Sequence, residues 1–289
     1  MHPWAVSPLL FILALFGTSV VTGVLGAVLG LGGGTLLVPI LTMFFGINLH
    51  YAMGASLVSV IATSSGAAAG LLKLGLSNIR VGLFFAVPTI VGAMVGSTLV
   101  GIAPPWVIEL VFGLAIGWAG LLTFRQPSGA RRHVTETDAD PLAVSCALEG
   151  AYYDNALGCD VAYRAERVKR GAGAMFGAGV LSGLLGIGAG AFTVLAMDVF
   201  LRLPIKVAAA TSSFMIGITA AASAAIFFAR GDVHPLIAGP VAIGVLVGAI
   251  VGSRVLPRLT NSAIRRLFLV VVFYLSASMI LRAFGVRLF

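Results

Sequence analysis

The sequence predicts an all-α polytopic membrane protein made of two homologous helical repeats, with broken or re-entrant glycine-rich helices. Three observations carry that expectation. The chain is 59% hydrophobic and only 10% charged, with a mean hydropathy of +1.08, whereas a soluble domain carries about 25% charged residues. Two stretches, 1–124 and 171–289, are almost continuously apolar, and each is several times the roughly 20 residues that a spanning helix needs. Residues 23–100 can be laid on 179–256 without a gap at a constant offset of 156, which is the mark of an internal repeat. The expected organisation is a first membrane repeat over 1–124, a connector over 125–170 and a second membrane repeat over 171–289.

The ends and charges fit a multi-pass protein of the inner or plasma membrane whose surroundings are the lipid bilayer. A cleavable signal peptide needs a positive first region, but only His2 precedes Trp4 before the apolar run begins, so a retained first helix is expected. The formal net charge of +8 does not indicate a nucleic-acid partner. The 18 basic residues sit between or at the ends of apolar segments, where topology signals belong. Cys146 and Cys159 both fall in the middle polar segment and establish neither a disulfide nor a metal site.

The positions that repeat matter most. Leu-Gly-Leu-Gly-Gly-Gly from Leu29 meets Leu-Gly-Ile-Gly-Ala-Gly from Leu185, Ser56 meets Ser212 and Thr63 meets Thr219. Gly-Ala-Met-Val-Gly-Ser from Gly92 meets Gly-Ala-Ile-Val-Gly-Ser from Gly248, which gives both halves a small-residue packing face. Apolar segments are expected at about 5–29, 35–46, 52–73, 80–101 and 105–124 of the first half. The second of these is too short to cross: twelve residues rise about 18 Å against a core of about 30 Å. Its glycine run is therefore expected inside the membrane. Irregular backbone is tolerated there only where protein buries it or it lines a cavity.

Charge decides between two orientations. If the first two segments of each half form a pair, the repeats are inverted and the basic residues divide 15 to 3 between the faces. If they form one broken crossing, the repeats are parallel and the division is 12 to 6. The first is the better positive-inside pattern, so inverted repeats with a cytoplasmic connector are favoured. The connector holds seven of the ten acidic residues. Gln126 to Pro141 reads as linker, and Ala151 to Tyr163 reads as two short extended runs around a turn, a small hairpin.

Candidate binding residues cluster at the two glycine runs. The tips formed by Gly30, Gly32, Gly33, Gly34 and Thr35, and by Gly186, Gly188 and Gly190, would aim backbone amides and helix N-termini at a common cavity, where an anion is stabilised. Close helix packing is the competing explanation for the glycines. The next segments begin with hydroxyls at Ser56 and Ser59, and at Thr211, Ser212 and Ser213; such groups bind anions or bond back to their own helix. Lys206, matched by His50, either guides an anion or snorkels as an interfacial anchor. Asp198 and Glu109 are intramembrane carboxylates without a repeated counterpart. His2, His50, His133 and His234 lie near segment ends and assemble no metal site. Neither glycine run has the Gly-Lys-Ser/Thr ending of a P-loop, so no cofactor is expected.

These residues resemble the TauE/SafE sulfite exporter family of small-anion transporters. The resemblance rests on Leu-Gly-Leu-Gly-Gly-Gly-Thr-Leu-Leu-Val-Pro from Leu29, Leu-Leu-Gly-Ile-Gly-Ala-Gly from Leu184, Ala-Ala-Thr-Ser-Ser-Phe-Met-Ile-Gly-Ile-Thr-Ala from Ala209, and Ala-Arg-Gly-Asp-Val from Ala229. The stretch from Tyr152 to Tyr163 is similar to the connector of one branch. Ala189 departs from the family, whose second run often has glycine there. The resemblance implies transport of sulfite, a sulfonate or a related organosulfur anion. Export is the expected activity; import coupled to protons or sodium, an intramembrane enzyme and an assembly subunit are the alternatives, and homo-oligomerisation is left open. A reporter fused within 130–145 is expected to read cytoplasmic and one at the C-terminus external; both on one side would remove the inverted arrangement.

Overall fold

A computed structural model of the chain describes residues 8–30, 32–125, 140–154, 158–188 and 190–284. His2, His133, Ala189 and nearly all of the expected linker from Gln126 lie outside the described residues. The first half contains α1 (Pro8–Leu29), α2 (Gly34–Met43), α3 (Leu49–Lys73), α4 (Ile79–Leu99) and α5 (Pro105–Arg125). The connector contributes α6 (Pro141–Ser145), β1 (Glu149–Asp154) and β2 (Cys159–Arg164). The second half holds α7 (Val168–Leu185), α8 (Gly190–Leu195) widening into a π turn over Ala196–Phe200, α9 (Ile205–Ala229), α10 (Pro235–Val255) and α11 (Asn261–Ala283). Among the described residues, α1, α3, α4, α9, α10 and α11 are long and apolar enough to cross a bilayer. The chain is thus an all-α polytopic membrane protein with one small hairpin.

Local chemistry sets the helix ends. Asn48 accepts from the His50 amide, Asn78 from that of Val81 at 3.1 Å and Thr260 from that of Ala263 at 3.2 Å, capping α3, α4 and α11. Pro105 and Pro235 open α5 and α10, where a missing amide hydrogen costs nothing. Inside the helices, hydroxyls bond back to the preceding turn, as Thr89 does to Phe85 O at 2.7 Å and Ser97 to Ala93 O at 2.7 Å. Such groups are satisfied without leaving their own helix, which suits an apolar solvent.

The bounds of the two halves coincide when shifted by 156. Leu49–Lys73 falls on Ile205–Ala229, Ile79–Leu99 falls on Pro235–Val255, and the breaks after Leu29 and Leu185 both restart at glycine, Gly34 and Gly190. The packing exchanges partners between halves. The backbone of α1 at Phe16, Val20 and Val24 lies against Gly244, Gly248 and Gly252 of α10, so these helices run parallel. In the same way α7 at Phe176 and Val180 lies against Gly92 and Gly96 of α4. Only glycine lets backbones approach this closely, and the gain is dispersion plus weak Cα–H to carbonyl contacts.

Corresponding helices run antiparallel. On α3 and α9, Gly54 lies beside Asp232, Ser64 donates to Ser213 O at 2.6 Å, and just past α3 Ser77 donates to Ala210 O at 3.1 Å. On α5 and α11, Gly113 neighbours Ile280 while Gly120 neighbours Val272. At the end of the chain's first pass, Phe45 returns to Phe11 with ring centroids 5.7 Å apart, so α2 carries the chain back toward the start of α1.

The connector docks where α3 ends and α9 begins. Tyr152 and Tyr163 are buried, and Asn78 Nδ2 donates to Tyr163 Oη at 3.3 Å and to Glu149 O at 3.2 Å. Burial pushes the Tyr163 phenol above its ordinary value, and the Asn78 bond offsets part of that. Asp140 accepts from the amides of Leu142 at 3.0 Å and Val168 at 2.8 Å, tying α6 to the start of α7. Arg202 pairs with Glu166 at 3.0 Å. A polar cleft of about 340 Å³ lies between Asp140, Glu166, Arg167 and Arg202.

The glycine seams set a measurable expectation. A β-carbon on Gly96 would overlap Val180 O, and one on Gly183 would overlap Ala93 O. Gly96→Leu and Gly183→Leu are each expected to abolish the monodisperse peak of detergent-solubilised protein in size-exclusion chromatography, while Gly177→Leu, with open space around it, leaves that peak in place.

Candidate functional site

The two helix breaks converge on the middle of the bundle. A β-carbon built on Gly32 would meet Ile216 Cγ2 at 3.0 Å and Val60 Cγ1 at 3.4 Å; one built on Gly188 would meet the same two side chains. Val60 and Ile216 sit near the midpoints of α3 and α9, about 17 Å from either end at 1.5 Å per residue. Both tips therefore lie at the depth where water is scarcest. Positive φ angles of 68°, 72° and 70° at Gly30, Gly32 and Gly33, and of 63° and 76° at Gly186 and Gly188, let the chain turn there without a β-carbon penalty.

The backbone freed by these breaks is largely satisfied by the protein itself. Gly32 N donates to Gly26 O at 3.3 Å, Gly34 N to Gly32 O at 2.8 Å, and Leu36 N and Leu37 N both reach Gly33 O at 3.1 Å. Ile187 N donates to Ser182 O at 3.3 Å. Side chains complete the set. Ser212 donates to Gly30 O at 3.0 Å and shares a 2.6 Å bond with Thr193 Oγ1, which also lies 3.0 Å from Gly190 O. Thr219 Oγ1 lies 3.4 Å from Gly188 O.

Of the residues expected at the site, the structure brings some together and turns others away. Ser212 binds both tips at once. Ser56, its counterpart, is fully buried, and a β-carbon on Gly34 would stand 2.5 Å from its hydroxyl oxygen. That hydroxyl has no hydrogen-bonding partner among the described residues. Ser59 and Ser213 instead donate to Ala55 O at 2.7 Å and Ala209 O at 2.9 Å, within their own helices. Thr211 accepts from the Asn78 amide at 3.0 Å and so joins α9 to the start of α4. Thr35 is buried in the first turn of α2. Lys206 is only 1% exposed, so it is a buried cation in the first turn of α9 and does not snorkel.

Three contributors were not expected from the sequence. Thr193 has Leu37 as its counterpart, so no repetition marks it. Ser64 accepts from Gly217 N at 3.1 Å while donating to Ser213 O, which places its hydroxyl between the two ends of one helical step in α9. Glu109, expected only as an intramembrane carboxylate, pairs with Arg282 at 2.8 Å and links α5 to α11. Asp198 is buried within the π turn, a local widening common at functional positions. No cluster of three or more metal-ligating side chains occurs among the described residues.

A helical bundle of this length and hydropathy, with six helices among the described residues long and apolar enough to cross a bilayer, defines a multi-pass membrane protein. The chain belongs to the sulfite exporter TauE/SafE family, whose model matches residues 15–279. It is 24% identical over 272 residues to the probable membrane transporter protein YunE of Bacillus subtilis (strain 168), which covers 90% of this chain and 94% of that one. It is 25% identical over 247 residues to the probable membrane transporter protein YdhB of the same organism, covering 85% and 89% respectively. No solved structure matches it. Membership and relatives agree on the class: this is a membrane transporter.

The tips give a second expectation. Leucine at Gly188 would combine a left-handed backbone, costing about 1–2 kcal/mol, with overlap of Val60. At Gly33, φ 70° with ψ −34° lies outside the left-handed well and is disfavoured further for a residue with a β-carbon, and the nearest atom is the side-chain Val245 Cγ1 at 3.2 Å. Gly188→Leu and Gly33→Leu are each expected to lower the thermal unfolding midpoint of purified protein well below that of Gly177→Leu; an unchanged midpoint in either would contradict this packing.

Proposed function

We propose that the protein exports a small sulfur oxyanion or sulfonate through a site between two inverted halves, with the connector on the cytoplasmic side. The observation that carries this reading is the meeting of two glycine breaks at the midpoints of α3 and α9. In inverted-repeat transporters, broken helices place the substrate at that depth. Antiparallel running of α3 with α9 and of α5 with α11 supports the inversion, because corresponding elements of inverted repeats cross the bilayer in opposite senses. The coincident bounds at an offset of 156 support a duplicated unit with re-entrant first pairs. The division of basic residues, 15 on the connector's face against 3 on the other, supports the orientation.

The anion preference follows from the groups at hand. The tips offer helix N-termini and hydroxyls, and the buried Lys206 adds positive charge in the first turn of α9. Donors without a matched pair of carboxylates suit an anion better than a cation. The printed description of the family, a sulfite exporter, narrows the anion to sulfite-like compounds. In a cell that is negative inside, each negative charge moved outward gains about 2.3 kcal/mol per 100 mV. Efflux needs no coupling ion, whereas uptake of the same anion needs a co-transported proton or sodium ion.

The test is release from proteoliposomes loaded with sulfite, sulfoacetate or thiosulfate under an inside-negative potential. Release of at least one anion well above that of protein-free liposomes, and steeper at larger potential, is expected. Release no faster than from protein-free liposomes, together with transport of a neutral or cationic solute, overturns the reading; strict dependence on a proton or sodium gradient moves it to coupled import.

A further inference from the structure

The two corresponding serines at the tips are in different states, and the difference is chemical. Ser212 is fully used: it donates to Gly30 O at 3.0 Å and bonds Thr193 Oγ1 at 2.6 Å, so it straps the first tip to α8. Ser56 occupies the matching place beside α2, is fully buried, and its hydroxyl has no partner among the described residues. The cause is legible in the chain, since the residue corresponding to Thr193 is Leu37 and cannot return a bond. A buried hydroxyl left unmade costs about 1–3 kcal/mol, so a bond supplied by something outside the chain is favoured there.

What Ser56 faces points to the kind of ligand. A β-carbon on Gly34, the first residue of α2, would stand 2.5 Å from Ser56 Oγ. The N-cap of that ten-residue helix is Gly33, which supplies no side-chain cap, so its positive end carries no side-chain acceptor at that position. A donor hydroxyl beside such an end complements a negatively charged oxygen. The other tip differs: Ser212 is occupied, α8 is six residues long before it widens into the π turn, and the buried hydroxyl without a partner there, Ser182, lies in the last turn of α7 and not beside a helix start.

We propose that the substrate oxyanion is seated in one half only, against the N-terminus of α2, with Ser56 Oγ as its side-chain donor, while Ser212 is a strap that the ligand does not touch. This rests on the anion-export reading above and adds which tip binds. Ser56 is a substrate-contacting residue; Ser212 is a positioning residue for the first tip.

The two roles separate by experiment on the full-length purified chain, with sulfite as the probe. Without sulfite, Ser56→Ala removes an unmade bond, so its thermal unfolding midpoint is expected to equal or exceed that of the wild type. Ser212→Ala removes made bonds and is expected to fall by several degrees. With sulfite, the wild type and any folded Ser212→Ala protein are expected to shift upward, while Ser56→Ala loses most of that shift and its KM for sulfite efflux rises about tenfold or more. Wild-type efflux with an unchanged KM and a full sulfite shift in Ser56→Ala overturns the one-sided seat and leaves the export reading standing. A Ser56→Ala midpoint well below the wild type also overturns it, since the hydroxyl would then be structural. Absence of any shift or efflux in the wild type with sulfite, sulfoacetate and thiosulfate alike removes both readings together.

Discussion

Within hydrocarbon, a peptide group that lacks an internal partner has no water to turn to, and each one left so costs several kcal/mol. Two interruptions of helical hydrogen bonding at the centre of this bundle therefore constrain what surrounds them. The chain meets that constraint in layers. Glycine lets the first turn close tightly enough for Gly34 N to reach Gly32 O at 2.8 Å, and the Ser212 hydroxyl on α9, itself bonded to Thr193 on α8, donates to the carbonyl of Gly30. The long helices α3 and α9 then bury the whole arrangement, presenting Val60 and Ile216 to both tips.

Close correspondence between the halves makes their departures informative. The pairs Gly23 with Val245 and Gly179 with Thr89 are the same contact made twice, as are Gly248 with Val20 and Gly92 with Phe176. Polar residues follow that rule only in part: Ser56 matches Ser212 and Thr63 matches Thr219, but others differ. Thr193 corresponds to Leu37, Ser64 to Ala220 and Lys206 to His50.

Much of the architecture was legible because it depends on composition and spacing. Segments expected at 52–73 and 80–101 are observed as Leu49–Lys73 and Ile79–Leu99, and helices restart at Gly34 and Gly190, next to the two glycine runs. The individual contacts were not legible. Ser56 and Ser212 are identical in sequence terms, and their difference depends on a neighbour nineteen positions from Ser212 in one half. Thr211 sits among the serines in the chain, yet its hydroxyl faces Asn78, brought in by the loop before α4. The partner of Glu109 is Arg282 at the far end of α11, and no local pattern announces a pair so distant. Lys206 reads as an anchor because it follows a loop, and only the folded bundle shows that it is buried.

The exchanged seams also set an order on biosynthesis. When α7 is made, its partner α4 is already in the membrane, so the contact of Gly179 with Thr89 can form at once. The first helix has no such luck: Val245, which receives Gly23, follows it by 222 residues. At roughly 5–20 residues per second, α1 waits about 10 to 45 s for its counterpart. During that interval its glycine groove faces lipid, and Thr18, Ser19 and Thr22 bond to carbonyls of their own helix, so it can stand alone without exposing an unmet hydroxyl. A helix made well before its partner is thus among the last to be locked, and the nascent protein stays open along that side until α10 arrives.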